Sequence, residues 1–235
     1  LRRAGFGPDE VWPRAGRPRI LPREVAELLD RVPAKLADEL RERILKMPSI
    51  APTSARVLGR AYEKQVDVLI SRWDRGPELL ISTKSQLSAF GKNLPNRFEE
   101  AYGDAGNLRA RYPLAAVGFV FVQRATVLRS EPDAFERTVD MMRKLRDLPR
   151  GAGAGIGYTA TALVLVDWDE PFDGAIRIVH DAVPAEVAAP QFLAGMVDAV
   201  LAVTPVQYHV TVRGLRERRT LRITEDEGAL DLDFD

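Results

Sequence analysis

The 235-residue sequence has no cysteine and only two histidines, His180 and His209. Disulfides and thiolate nucleophiles are therefore excluded, and almost nothing is left for a zinc site of the His-rich nuclease kind. An excess of charge of one sign is lacking too, because 34 Lys and Arg balance 34 Asp and Glu. Any attraction to a polyanion must then come from local patches rather than from the whole molecule. No run approaches the roughly eighteen uncharged apolar residues of a membrane helix, and the N-terminus lacks a signal-peptide pattern. The expectation is a soluble, cytoplasmic protein without a membrane partner.

Hydrophobic residues make up 46% of the chain, enough to bury a full core. The spacing predicts an N-terminal arm with helices over residues 1–50 and one larger domain over 51–235. Arginines cluster at Arg14, Arg17, Arg19 and Arg23 and again at Arg213, Arg216, Arg218, Arg219 and Arg222. Each cluster reads equally well as a phosphate-contacting patch or as a solvated surface.

Residues 1–23 are rich in Pro, Gly and Arg and predict an extended or wrapping arm, followed by helices over 22–30 and 33–46. A third helix, capped by Thr53 or Ser54, is expected to run to about Gln65. The period then changes. Residues 66–73 and 78–85 read as strands joined by the turn Asp74-Arg75-Gly76-Pro77. Helices are expected over 91–109, 133–148 and 191–203, buried strands over 114–128, 158–168 and 176–183, and a closing hairpin from 206–212 with 219–223. Strands interleaved with helices predict an α/β sandwich with a mixed sheet flanked by helices.

The chemistry-bearing segment is Val66-Asp67-Val68-Leu69-Ile70 followed by Ile81-Ser82-Thr83-Lys84. Strand alternation puts Ser82 and Lys84 on one face, and a hairpin brings Asp67 near them. An acid beside a lysine at the end of paired strands suits metal-assisted phosphodiester hydrolysis, with a carboxylate fixing Mg²⁺ and an ammonium supporting the nucleophile and offsetting developing charge. The plainer readings are a solvent-facing strand acid for Asp67 and an edge-strand gatekeeper for Lys84.

This hairpin resembles that of the PD-(D/E)xK nuclease superfamily, over roughly residues 55–125, with Asp67 on the first motif site and Lys84 on the last. Two departures stand out: Gln65-Val66 replaces the proline region, and Ser82 occupies the place of the second acid. Some restriction endonucleases of the superfamily with a Ser/Thr-x-Lys motif take the missing carboxylate from the next helix, in an Asn-x-Arg-x-Glu pattern. Asn96-Arg97-Phe98-Glu99 lies at a similar distance here, so the resemblance implies Glu99 as the first choice for the metal-binding acid. Glu100, one position further round the helix, is the second, and Glu63, on the helix expected before the sheet, is the third. Glu99 and Glu100 could equally pair with Lys92, Lys84 or Arg97 on an exposed helix face.

Carried over in full, the resemblance implies a restriction-endonuclease-like fold and a Mg²⁺-dependent DNA endonuclease of the type II restriction or phage-defence kind. Such an enzyme works as a homodimer and leaves 5′-phosphate products. Gln86, Lys92, Asn93, Asn96 and Arg97 would supply phosphate contacts. The alternative is a catalytically inactive nucleic-acid-binding module that kept the fold and lost the acid at Ser82. The glycines from Gly151 to Gly157 follow a helix and precede a strand, the reverse of a dinucleotide-binding turn, so they read as a connector. His180 and His209 read as structural or surface residues, Trp73 and Trp168 as packing residues, and the acids from Asp167 to Glu170 as turn chemistry.

Overall fold

The computed structural model describes residues 1–146, 155–172, 174–218 and 229–231. Its frame is a seven-stranded mixed sheet in the order β1-β4-β5-β6-β7-β8-β9, with a separate two-stranded sheet of β2 and β3. The large sheet contains β1 (Val11–Trp12), β4 (Val68–Arg72), β5 (Gly76–Gln86), β6 (Ala116–Arg124), β7 (Ala160–Asp167), β8 (Ala175–Val179) and β9 (Ala229–Asp231). Strands β5, β6 and β7 run parallel, whereas β4 pairs with β5, and β8 with β7, antiparallel. The mixed α/β class read from the sequence is therefore present.

Helices α3 (Leu94–Arg109) and α5 (Pro132–Lys144), the latter preceded by the short α4 (Val127–Ser130), carry the chain between the parallel strands. Both α3 and α5 pack on one face of the sheet, where Phe98, Ala101 and Ala105 of α3 and Val139 and Met142 of α5 join Leu80, Phe119, Phe121 and Leu163 in the main core. Phe98, Phe119, Phe121 and Tyr158 stack and cross edge-on at its centre, with neighbouring centroids 5.3–6.3 Å apart. The opposite face, with Leu79, Ile81 and Ala162, is covered by Phe192, Met196 and Val200 of α6 (Ala189–Val203), by Val212 of α7 (Val210–Arg218), and by Ala4 and Phe6 of the N-terminal segment. Gly118 lets α6 approach closely, since a β-carbon there would fall 2.8 Å from Phe192. Helices α1 (Arg23–Arg31) and α2 (Ala34–Leu45) enclose a smaller cluster of Leu21, Ala26, Leu29 and Ile44.

Proline sets several helix starts. It occupies the first turn of α3, α5 and α6, where its missing N–H costs nothing, and directly precedes α1 and α2. No helix among the described residues is long and apolar enough to cross a membrane.

Three expected elements differ. The helix expected over residues 53–65 is a hairpin of β2 (Ala55–Leu58) and β3 (Glu63–Val66). Ala55 and Val57 are buried while Arg56 and Leu58 are exposed, a period of two that four residues are too few to distinguish from a helical stripe. The N-terminal arm wraps the molecule as expected, but it also contributes an edge strand, Val11↔Ile70 and Trp12↔Leu69. The first half of the expected closing hairpin is a turn leading into α7, because His209 adopts a left-handed conformation (φ 55°) that starts the helix; residues 219–223 lie outside the described residues, as do Gly151 to Ala154 of the glycine-rich connector. Trp73 is not a packing residue: it sits in the β4–β5 turn and is 89% exposed.

Candidate functional site at the end of β4 and β5

Because β4 and β5 are antiparallel, the start of β4 and the end of β5 lie at one edge of the sheet. Strand β5 is parallel to β6 and β7, so this is also the edge formed by the carboxyl ends of the parallel strands, where open α/β sheets bind ligands. The β4–β5 ladder ends at Val68↔Ile81, with the Asp67 N–H donating to Ile81 O at 2.9 Å. The next β5 donor on that side, the Thr83 N–H, is taken by Asp67 Oδ2 at 2.6 Å. Asp67 thus caps the ladder with its side chain and stays exposed to solvent.

Lys84 follows on the face that carries Leu80 and Ser82, toward α3. Its ammonium lies 2.7 Å from Glu100 Oε1. The helix phase explains which acid arrives: Leu94, Phe98, Ala101, Ala105 and Leu108 face the core, Glu100 lies on the same side of that stripe as Asp104, and Glu99, exposed like Glu100, lies on the other side. Glu100 rather than Glu99 therefore meets Lys84, in the pairing that the plainer reading of the sequence allowed. The Lys84 hydrogen bond holds the Glu100 carboxyl below its ordinary value, and the charges of Lys84, Lys64 and Arg97 add to the effect against the opposing cost of burial.

Glu63 does not join this corner. It stands on β3, exposed and paired with Arg56 at 3.1 Å, because the segment is a hairpin and not a helix. Ser82 is buried at 5% exposure beside Lys84. Gln86 is buried as well, and its amide donates to Ala89 O and Lys92 O, so it builds the loop rather than facing a ligand. That loop is fixed from outside by Glu131, which accepts the N–H groups of Phe90 and Gly91 at 2.9 and 2.6 Å. No signal in the sequence marked Glu131, since its partners lie forty residues away. Lys92 and Asn96 are exposed, Arg97 is half-buried, and Asn93 takes a left-handed conformation (φ 61°) at the entrance to α3.

Beside Glu100, one turn further along α3, Asp104 is 4% exposed and pairs with the ammonium of Lys64. The Tyr62 hydroxyl donates to Asp104 Oδ1 at 2.9 Å. Burial, then the hydrogen bond and charge of Asp104, push the Tyr62 phenol up to about 12. Lys84, Glu100, Lys64, Asp104 and Tyr62 thus form a network of alternating charge beneath the β2–β3 hairpin. No cluster of three or more His, Cys, Asp or Glu suited to a metal occurs among the described residues. What the corner offers is two carboxylates, Asp67 and Glu100, held by the consecutive residues Thr83 and Lys84.

Four arginines of the two clusters are absorbed by structure, Arg17 and Arg19 are exposed, and Arg219 and Arg222 lie outside the described residues. Arg14 and Arg23 pair with Asp9, Glu10 and Glu27, Arg216 pairs with Asp198, and Arg213 donates to Leu201 O and Thr204 O at the end of α6. The acids at the end of β7 likewise meet arginines, with Arg124 on Asp167 and Glu170 and Arg177 on Asp169. Trp168 packs under the Arg124 guanidinium at 4.0 Å. The His209 side chain is buried and lies 3.0 Å from Glu78, a structural contact, while His180 is exposed. Comparison with protein-family models, with curated proteins and with solved structures gives no match to this chain.

Proposed function

We propose that the β4–β5 corner is a site of Mg²⁺-assisted phosphodiester hydrolysis acting on DNA, in a chain with a restriction-endonuclease-like arrangement. The observation that carries this reading is the convergence on two adjacent β5 residues: Asp67 binds the backbone of Thr83, and Glu100 binds the ammonium of Lys84. The donor set suits Mg²⁺, which is commonly held by one or two carboxylates together with substrate phosphate and water. Asp67 and Glu100 would hold it, and it would supply charge to the phosphoryl oxygens and acidify a bound water. Lys84 keeps its ammonium beside Glu100, positioned to stabilise negative charge on the attacked phosphate. Arg97, at the start of α3 and close enough to depress the Glu100 carboxyl, adds positive charge on the substrate side. Cutting both strands of a duplex would take two copies, so a homodimer belongs to this reading.

The test is cleavage of a supercoiled plasmid by the full chain with Mg²⁺, with chelator added, and in the Asp67→Ala and Lys84→Ala variants. Chelator-sensitive cleavage lost in both variants is the expected result. Cleavage that survives in either variant overturns the assignment. The neutral, buried Ser82 and the closed Lys84–Glu100 pair favour a second reading, a binding module without catalysis. Retardation of DNA without any cleavage across Mg²⁺ and Mn²⁺ would establish that reading instead.

A further inference from the structure

Glu100, Asp104, Asn107 and Arg111 follow one another at helical spacing and mark one stripe along α3 and its C-terminal turn. The β2–β3 hairpin lies over the middle of this stripe, where Asp104 binds Lys64 and Tyr62 and where Asn107 binds the hairpin turn. One end opens at the Lys84–Glu100 corner. At the other end Arg60, from the hairpin turn, meets Ala110, Arg111 and Tyr112 around an open cavity of about 650 Å³. Arg60 and Arg111 are exposed, and neither has an acid within ion-pair distance among the described residues. Arginines in other cavities are engaged: Arg23 and Arg72 in the cleft beside His209 both bind Glu10, and Arg2, in the cavity under the N-terminal segment, donates to the carbonyls of Pro8, Val11 and Pro13. Two guanidinium groups sharing one concavity without a carboxylate make a local positive field in a chain with no net charge. The Arg111 guanidinium also lies 5.9 Å from the centre of the Tyr112 ring, which places an aromatic surface at the same spot.

We propose that Arg60 and Arg111, with Tyr112 beside them, bind the phosphodiester backbone of a nucleic-acid strand at a second point, away from the β4–β5 corner. Guanidinium groups suit phosphate oxygens because their planar donors match them two at a time. The inference rests on the proposed function only in taking the anion to be a nucleic acid. Eleven residues separate Glu100 from Arg111, so at 1.5 Å per residue the two points lie on the order of 16 Å apart along the helix. That span corresponds to roughly five base steps of duplex, at about 3.4 Å of axis per phosphate of one strand.

The test is fluorescence anisotropy of a labelled DNA duplex with the full chain in chelator, so that binding is read without cleavage, over a series of salt concentrations. Arg60→Gln with Arg111→Gln is compared with the wild type and with Arg43→Gln, an exposed arginine on α2. The paired variant is expected to bind about tenfold or more weakly and to lower the slope of log affinity against log salt by about two, one for each lost phosphate contact, with Arg43→Gln unchanged. An unchanged slope and affinity in the paired variant overturns the proposal. Binding of inorganic phosphate that depends on both arginines, alongside DNA binding that does not, assigns the site to a free anion and overturns it as well. Asp67→Ala separates the two ideas. It should abolish cleavage while leaving the salt slope intact, so loss of the corner's activity and loss of the arginine contacts are read by different measurements.

Discussion

The ammonium of Lys84, on β5, lies 2.7 Å from Oε1 of Glu100, on α3, and joins a strand end to a helix at the edge of the sheet. The pair depresses the Glu100 carboxyl, so its contribution to stability is present above the ordinary Glu value of 4.5 and is lost as pH falls through the lower folded value. Glu100 is about half exposed, and the pair is screened by solvent, so its effect on stability is small. The carboxyl itself is the better reporter. Replacement of Lys84 by Met should raise the Glu100 titration toward its ordinary value, read by carboxyl-carbon NMR, and an unmoved titration would show that Lys84 is not the main cause.

Asp67 combines a structural role with the proposed catalytic one, and two substitutions separate them. Asn at this position keeps a side-chain oxygen for the Thr83 N–H, whereas Ala leaves that donor to water. Asp67→Ala should therefore cost about 0.5–1.5 kcal/mol and raise the exchange rate of the Thr83 amide proton. Asp67→Asn should preserve both stability and protection while removing Mg²⁺-dependent cleavage, because a neutral amide oxygen holds a hard divalent cation far more weakly than a carboxylate does. Equal cleavage by the Asp67→Asn variant and the wild-type protein would leave Asp67 a ladder cap alone.

Much of the frame was legible because long apolar runs and helical stripes carry their own period. Leu94, Phe98, Ala101, Ala105 and Leu108 gave α3, and the β-branched run around Val120 gave β6. The register of the site was less visible. Asp67 and Lys84 could be placed on one hairpin from the Asp-Arg-Gly-Pro turn alone, but choosing Glu100 over Glu99 needs a helix phase accurate to one residue. Glu63 misled because four-residue strands with Ala55 and Val57 inside look the same as one face of a short helix. Glu131 and Asn107 could not have been found, since each fixes backbone some forty residues away or more through contacts that leave no local pattern. Tyr102, one position past Ala101, falls off the buried stripe and is 52% exposed.

Tyr62 and Asp104 give a prediction at the opposite end of the pH scale. A phenol raised to about 12 contributes stability that is fully present below the unfolded value of 10 and is lost as pH rises through the folded one. Burial is the leading cause, and the carboxylate of Asp104 follows. Asp104→Asn should lower the Tyr62 titration toward 10 in an ultraviolet pH titration, without restoring it fully because the burial remains. The same change leaves the largely buried Lys64 without its carboxylate, at a cost of about 3 kcal/mol in chemical denaturation. Loss of stability with an unmoved Tyr62 titration would mean that burial alone accounts for the shift.

Two glycines test whether the β2–β3 hairpin is clamped onto α3 by a single side chain. Asn107 Oδ1 accepts the N–H groups of Ala61 and Tyr62 at 2.8 and 3.3 Å, and its Nδ2 donates to Tyr62 O at 3.0 Å. A β-carbon on Gly59 would overlap this amide, so Gly59→Ala must push Asn107 out of the turn. Three hydrogen bonds of about 1 kcal/mol each are then at stake, giving a loss of about 2–3 kcal/mol and a fall in Tm of roughly 5–10 °C. Gly106, one residue before Asn107 on the same helix, meets nothing within 4 Å, so Gly106→Ala should stabilise the protein by about 0.5–1 kcal/mol through helix propensity. Opposite signs in the two melts, with faster amide exchange at Ala61 and Tyr62 only in Gly59→Ala, are the expected outcome. Equal and small effects would show that the hairpin is held by Lys64 and Asp104 rather than by Asn107.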